Sequence, residues 1–172
     1  MPCELTLTAL AGVPEIERGA DLAACVIEAL RAGGLALRER DVLVVAQKVV
    51  SKAEGRFLYL DEIVPSDEAR RIAAVTRKDP RLVEAILAES QEIVRAVPNV
   101  LIVRHRLGFV MANAGVDRSN VPHARGERMR ERILLLPRDP DGSAAALRSR
   151  LMQACGVAVG VIVSDSFGRP WR

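Results

Sequence analysis

The spacing of apolar residues along the chain predicts a succession of helices and strands. Helices are expected where apolar residues recur every three or four positions behind a capping residue or a proline. Strands are expected where short apolar runs lie between turn-forming residues. The predicted helices cover 21–31 and 139–155 and open near 65 and 79, the last with an apolar stripe that continues to 94. The predicted strands are 4–10, 41–50, 57–60, 100–103, 109–112, 133–136 and 157–163.

The order of these elements predicts an α/β fold with some α+β character. Helices alternate with strands, but a tight turn at Gly108 joins two strands as a hairpin. We therefore expect a mixed sheet with flanking helices rather than a purely parallel sheet. The continuous apolar run 42–46 is typical of a strand covered on both faces. An arginine-rich segment at 122–132 interrupts the composition and is a possible boundary between two lobes.

Composition narrows the class of protein. The chain has 172 residues, of which 49% are apolar and only 3% aromatic, so its core is expected to be aliphatic. A net charge of +3 and so few stacking side chains argue against a nucleic-acid partner. The sequence contains no apolar run that would span a membrane and no N-terminal secretion signal. With three widely spaced cysteines, these features fit a cytoplasmic protein with reduced thiols and no membrane partner.

The cysteines and histidines are expected to have structural rather than catalytic roles. Cys25 and Cys155 fall on helical apolar faces and are predicted to lie in the core. His105 and His123 have no partner at a useful spacing and are expected in surface loops. The segment 118–132 holds five arginines against two glutamates, which fits either a solvated loop or a rim that attracts an anionic substrate.

Two aspartates that follow predicted strands are the candidate metal ligands. Asp117 comes after a bend at Gly115, and Asp165 ends the last strand beside Ser166. Ligands gather at strand ends in α/β folds, and carboxylate and hydroxyl oxygens suit magnesium or manganese. The alternative is a structural one, in which Asp117 and Asn120 satisfy local backbone groups of a turn.

Lys52 is a candidate phosphate contact because it follows the most apolar predicted strand. A lysine in that place can meet a phosphate as a point charge. The glycine-rich cradle that precedes the lysine of a P-loop is missing here. A solvated turn lysine is the alternative.

Four segments in a fixed order carry a resemblance to a known family. They are 12–14, 41–56, 113–120 and 164–172. The chain closely resembles the coenzyme F420-0:L-glutamate ligases, also called coenzyme F420 gamma-glutamyl ligases, from about residue 5 to its last residue. The resemblance implies an acid–amino-acid ligase that uses GTP to join L-glutamate to coenzyme F420-0 through amide bonds. It also implies manganese or magnesium, with two ions in the complete site, and an intertwined homodimer.

The resemblance assigns roles to individual residues. Nucleotide contacts are implied for Val13, Pro14, Glu15, Ile16, Gln47, Lys52 and Asn120. Asp117 and Asp165 match ligands of one metal ion, and Ser166 matches a hydroxyl ligand of a second ion, where the family usually has threonine. The catalytic base is left unassigned. Phosphoryl transfer makes a carboxylate reactive towards an amine, so positioning and charge neutralisation would be the main work of such residues.

The family pattern continues beyond the run 167–172 into a segment that completes the second metal site. We therefore expect residues 1–172 to form one ligase domain that lacks this segment. A truncated, non-catalytic nucleotide- or metal-binding module is the alternative function. A basic nucleic-acid-binding protein that uses the segment 118–132 is a third hypothesis, to be recognised by a steep salt dependence.

Overall fold

The computed structural model describes residues 4–118 and 131–165, which form five α-helices and seven β-strands. The expected α/β class is confirmed, and strands pair in both parallel and antiparallel fashion. In chain order the elements are α1 (Leu22–Ala32), β1 (Val42–Ala46), α2 (Gln47–Ala53), β2 (Phe57–Tyr59), α3 (Asp67–Thr76), α4 (Pro80–Ala88), β3 (Ser90–Val97), β4 (Val100–His105), β5 (Val110–Ala112), β6 (Arg132–Leu134), α5 (Pro140–Cys155) and β7 (Gly160–Ser164).

These elements belong to two compact units. Residues 4–55 and 139–164 form the first, and residues 56–118 and 131–138 with Asp165 form the second. The possible lobe boundary at 122–132 falls almost entirely outside the described residues and stays a prediction. None of the helices within 4–118 and 131–165 has the length and apolar character needed to cross a membrane.

The first unit is built on a two-stranded parallel sheet. β1 lies beside β7, with Val42 opposite Gly160 and Ala46 opposite Ser164. Helices α1 and α5 pack together, and their apolar stripes bury an aliphatic core with one face of the sheet. This core consists of Ala23, Val26, Val45, Val50, Leu147, Leu151 and Val159. Because the strands are parallel, both end at the same edge, where α2 begins at Gln47.

The second unit combines two antiparallel sheets with two helices. β2 pairs with β6, while β3, β4 and β5 form a three-stranded meander. Helices α3 and α4 pack against each other, and each also contacts β3. The shared core is aliphatic, as the composition predicted, and consists of Leu60, Ala69, Ile72, Ala73, Leu82, Val83, Ala85, Ile86, Leu101, Val103, Ala114, Ile133 and Leu135.

Two predicted strands and one predicted helix differ from the structure. Residues 4–10 form no strand, and Leu5 and Leu7 are exposed there. The strand predicted over 41–50 ends at Ala46, and the same apolar run continues as α2. β1 is also covered on one face only, since Val42 and Val44 are exposed. An apolar run without a turn residue fits a strand and a short helix equally well, so its composition does not mark the boundary.

The helix predicted from 79 was also too long. α4 ends at Ala88, and residues 90–97 form β3, in which Val94 is 51% exposed. β3 pairs with β4 from Ser90, opposite His105, to Val97, opposite Val100, with register shifts at Gln91 and Val94. Cross-strand pairing therefore overrides a helical apolar spacing that the sequence carries by coincidence.

The starts of α1, α3, α4 and α5 were predicted well because they depend on local chemistry, whereas α2, which has no side-chain cap, was not predicted. The caps Asp21, Ser66, Asp79 and Asp139 each accept a backbone N–H from the first turn. The predicted end of α5 at Gly156 is confirmed, with that glycine in the left-handed conformation at φ +71°.

Replacing Ser66 by alanine should lower the stability of the second unit by about 1–2 kcal/mol, the usual cost of losing a helix cap. Ser66 Oγ accepts the Ala69 N–H at 3.2 Å and donates to Glu84 Oε2 at 2.6 Å, so it both caps α3 and ties it to α4. Urea unfolding of the wild-type protein and S66A measures the difference. Ser66→Thr is the matched control, because it keeps the hydroxyl that caps α3 and donates to Glu84; an equal loss in both variants would contradict the capping role.

Candidate functional site

In the first unit, the structure brings the turn 13–16 together with α2. The side chain of Ile16 is buried and anchors the turn, while Val13, Pro14 and Glu15 are exposed. Glu15 Oε1 lies 3.7 Å from Lys52 Nζ, and the Gly19 N–H donates to the carbonyl of Ala53 at 2.8 Å. Residues that are more than 30 positions apart in the chain therefore share one surface.

Lys52 lies in the last turn of α2 rather than in a loop. Its side chain is only 18% exposed, whereas that of Glu15 is 61% exposed. A solvent-screened pair at this distance contributes little to stability, so the ammonium group stays available to an anionic ligand. This corrects the reading of Lys52 as a turn residue and preserves its candidate role as a phosphate contact.

Gln47 opens α2 and is buried. Its Oε1 accepts a hydrogen bond from Ser51 Oγ at 3.0 Å, one helical turn later. This bond orients the side-chain amide, so the amide N–H₂ group is presented in a fixed direction. Gln47 and Lys52 thus lie on the same short helix, and their shared binding role stays a prediction.

In the second unit, a strained turn precedes Asp117. Asn113, Ala114 and Gly115 are all left-handed, with φ of +54°, +52° and +67°, and the Val116 N–H closes the turn on the carbonyl of Asn113 at 2.9 Å. Left-handed backbone costs about 1–2 kcal/mol for a residue with a Cβ. Such strain persists only where the surrounding structure imposes it, and it concentrates at functional sites.

Packing imposes this turn. Ala114 is buried in the core of the second unit. A Cβ on Gly115 would lie 2.9 Å from Leu136 Cγ and 2.9 Å from Met111 Cε, so only glycine fits there. Sequence reasoning identified the glycine as a bend but missed the two left-handed residues before it. Asparagine tolerates this conformation, whereas alanine gives no such signal.

Asp117 is held by its backbone immediately after the turn. It exchanges two hydrogen bonds with Leu134, each 2.9 Å long, and its side chain is half-buried. Arg118, the next residue, forms an ion pair with Glu131. The backbone of Asp117 is therefore held by β6 rather than lying in a loose loop.

The remaining candidate ligands are less completely defined. Asp165 is exposed and directly follows β7. Asn120 and Ser166 lie outside the described residues, as does His123. Within 4–118 and 131–165, no group of three or more histidine, cysteine, aspartate or glutamate side chains could hold a metal ion. The oxygen donors of Asp117 and Asp165 fit a hard cation by their chemistry, and their joint coordination of one ion stays a prediction.

The second unit contains a buried cluster of charged side chains that the sequence did not predict. Glu89 Oε2 accepts from Arg56 Nη2 at 2.7 Å and lies 3.0 Å from Arg106 Nη2. Burial raises the pKa of the Glu89 carboxyl, but contacts with His105 and Arg56 and the charges of Arg56 and Arg106 outweigh it. The net result is a pKa below the ordinary value.

His105 belongs to this cluster and is completely buried, so its assignment to a surface loop was wrong. Its Nδ1 accepts the Leu107 N–H at 3.0 Å, and its Nε2 lies 3.5 Å from Glu89 Oε2. Cross-strand pairing of Ser90 with His105 brings the ring to Glu89. The sequence offers no spacing signal for such a contact.

Cys25 and Cys155 are free thiols and only partly buried, rather than fully in the core.

Comparison with known proteins identifies the family to which the chain belongs. A family model described as F420-0:Gamma-glutamyl ligase matches residues 12–172. The chain is similar to the coenzyme F420:L-glutamate ligase of Methanothermobacter thermautotrophicus, with 46% identity over 98% of the chain and 64% of that protein. The ligase of Methanopyrus kandleri is 48% identical over 92% of the chain and 58% of its own length. That of Archaeoglobus fulgidus is 42% identical over 94% and 59%. The chain thus spans less than two thirds of each of these relatives.

Proposed function

We propose, from the premise that this chain belongs to the F420-0:gamma-glutamyl ligase family, that it takes part in GTP-dependent joining of L-glutamate to coenzyme F420-0. Identity of 46% to a named ligase over 98% of the chain carries the proposal. The fixed backbone at Asp117 and the partly buried Lys52 support it, because both groups suit the binding of a metal-associated polyphosphate.

The chemistry follows from the poor reactivity of a carboxylate towards an amine. Transfer of the γ-phosphoryl group of GTP to the acceptor carboxylate forms an acyl phosphate and GDP. The glutamate amine then attacks the acyl carbon, inorganic phosphate leaves, and the amine loses a proton. Both steps depend on aligning the reactants and on balancing phosphate charge.

In this proposal the residues divide into two groups. Val13, Pro14, Glu15, Ile16, Gln47, Lys52 and Asn120 bind the nucleotide. Lys52 acts as a point charge on a phosphate, and Gln47 presents an amide fixed by Ser51. Asp117, Asp165 and Ser166 would hold manganese or magnesium, which supplies neutralisation of phosphate charge when bound.

A mass measurement tests the activity. The protein is incubated with GTP, manganese, L-glutamate and coenzyme F420-0, and the mass of the coenzyme is then measured by mass spectrometry. We expect the addition of at least one glutamate residue, dependent on GTP and abolished by omission of the metal. An unchanged coenzyme would refute catalysis by this chain. If calorimetry then shows GTP and manganese binding without turnover, a non-catalytic nucleotide-binding module is the better description.

We also propose a homodimer of cytoplasmic location as the working form. Light scattering on the purified protein should give a mass close to twice the 18.7 kDa of the single chain. A monomeric mass at the concentrations used for assay would rule out the dimer as a requirement.

A further inference from the structure

β6 begins with an arginine for which the described residues provide no counter-ion. The guanidinium carbon of Arg132 lies 4.5 Å from the ring centroid of Phe57, so the charged group stacks on an aromatic face. Its Nε–H is buried and finds no acceptor among residues 4–118 and 131–165. A buried donor without a partner destabilises the fold, and an arriving acceptor would recover this loss.

Strand register places this arginine beside Asp117. Leu134 faces Phe57 of β2 on one side and exchanges both backbone hydrogen bonds with Asp117 on the other. Residues directly opposite one another in antiparallel strands point to the same face, so these three side chains form one row. Arg132 precedes Leu134 by two positions and shares its face, as the contact with Phe57 confirms. The backbone of Arg132 is therefore diagonal to that of Asp117, about 7–8 Å away, while its guanidinium lies over Phe57 of β2.

The neighbouring arginine is in a different situation. Arg118 follows Asp117 directly in the chain, but its guanidinium is paired with Glu131, and both side chains are about half exposed. Arg118 is thus neutralised, whereas Arg132 is held by an aromatic ring that supplies no opposite charge. The two arginines are close in sequence and differ in what they can offer to a ligand.

We propose that Arg132 is an anion-binding residue of the Asp117 site, and that it takes the phosphate oxygens of the nucleotide. The proposal rests on the proposed function, in which Asp117 holds the cation that accompanies the phosphates. A guanidinium donates paired hydrogen bonds to phosphate oxygens in a fixed plane. Phe57 occupies one face of that plane, which leaves the N–H edge for the ligand and restricts the side chain before binding. A cation-bound phosphate suits a place beside Asp117, where a bare carboxylate would be repelled.

Calorimetry on two matched variants tests the assignment. Arg132→Lys keeps the charge and removes the planar N–H edge, and Arg118→Lys makes the same change at the paired arginine. Wild-type protein and both variants are titrated with GTP, inorganic triphosphate and L-glutamate in the presence of manganese. For R132K we expect both phosphate ligands to bind about tenfold more weakly or worse, the effect of losing one strong hydrogen bond, and for R118K a change below about twofold.

The outcomes separate this proposal from the proposed function. GTP and triphosphate affinities equal to wild type in R132K overturn the role of Arg132 while the ligase proposal stands. If wild-type protein binds triphosphate but not GTP, and R132K loses the triphosphate, Arg132 binds anions and the GTP assignment fails. A loss confined to L-glutamate overturns the phosphate assignment in favour of a carboxylate. No binding of any ligand to wild-type protein refutes both proposals.

A measurement on the unmodified protein covers the case in which R132K does not fold. The Nε–H resonance of Arg132, assigned through its own side chain by NMR, is followed during titration with GTP and magnesium. A new acceptor should shift this resonance, while that of Arg118 moves little. A resonance that stays in place at saturation contradicts the proposal.

Discussion

Replacing Glu89 by glutamine is expected to lower the free energy of unfolding of the second unit by about 2–4 kcal/mol. The carboxylate is 9% exposed and lies against two arginines, and removing one partner of a buried ion pair costs about 3–5 kcal/mol. The lower range allows for Arg106, which is 41% exposed and can turn to water. Arg56 cannot do so, since its Nε also donates to the carbonyl of Leu136 at 2.9 Å.

The control for Glu89 lies on the next strand. Glu92 pairs with Arg104 at 2.6 Å, but both side chains are about half exposed. Glu92→Gln should therefore cost less than about 1 kcal/mol. Denaturant unfolding combined with hydrogen exchange assigns each loss to its unit, because a chain with two units need not unfold in one step. Equal losses in the two variants would refute a special role for the buried cluster.

The effect of Glu89 should also depend on pH in a defined direction. Its pKa is lowered in the folded protein, so its contribution is fully present above the ordinary value of 4.5 and is lost as pH falls through the folded pKa. Below 4.5 the wild-type protein should thus approach E89Q in stability. A difference between the two that grows with acid would contradict the direction of the shift.

Replacing Asp117 by asparagine is expected to weaken manganese binding and ligase activity by a factor on the order of a hundred or more, since even indirect metal contacts are worth 10- to 100-fold. Asparagine keeps the shape and one oxygen but removes the charge. The backbone pairing with Leu134 does not involve the side chain, so the fold should survive. Calorimetry with manganese and an activity assay over a range of metal concentrations measure the loss. Partial rescue by excess metal is expected for a ligand.

Asp67 provides the control for Asp117. It lies in the first turn of α3 in the same unit and is fully exposed, so Asp67→Asn should leave metal affinity unchanged. Asp165→Asn tests whether the two aspartates share one ion. If they do, the loss of metal affinity in the double variant should fall well short of the sum of the losses in the two single variants. Strictly additive losses would place the two carboxylates on separate ions.

Local features of the fold could be predicted because a few adjacent residues decide them. Asp139 and Gly156 mark the two ends of α5 through capping and a left-handed turn. The hairpin at Gly108, which has φ +90°, follows from the same local chemistry. The end of α4 at Ala88 could not be predicted, because the partner that turns residues 90–97 into a strand lies on β4.

Some residues of the candidate site could likewise be predicted from the sequence, and others could not. Lys52 and Asp117 were identified from their place after apolar strands and from family resemblance, and the family is confirmed by comparison. The pairing of Lys52 with Glu15, the burial of His105 against Glu89 and the stacking of Arg132 on Phe57 needed the folded chain.

By itself, the sequence determined the α/β class, the helix caps, the aliphatic core and the family of this protein, because composition, periodicity and local hydrogen bonding act over a few residues. The tertiary structure decided which apolar runs become strands, which charges are buried together and which arginine stacks on Phe57. Strand register decides these contacts. A shift of one residue moves every side chain to the opposite face, and a local pattern along the chain cannot fix which residues of two distant segments meet.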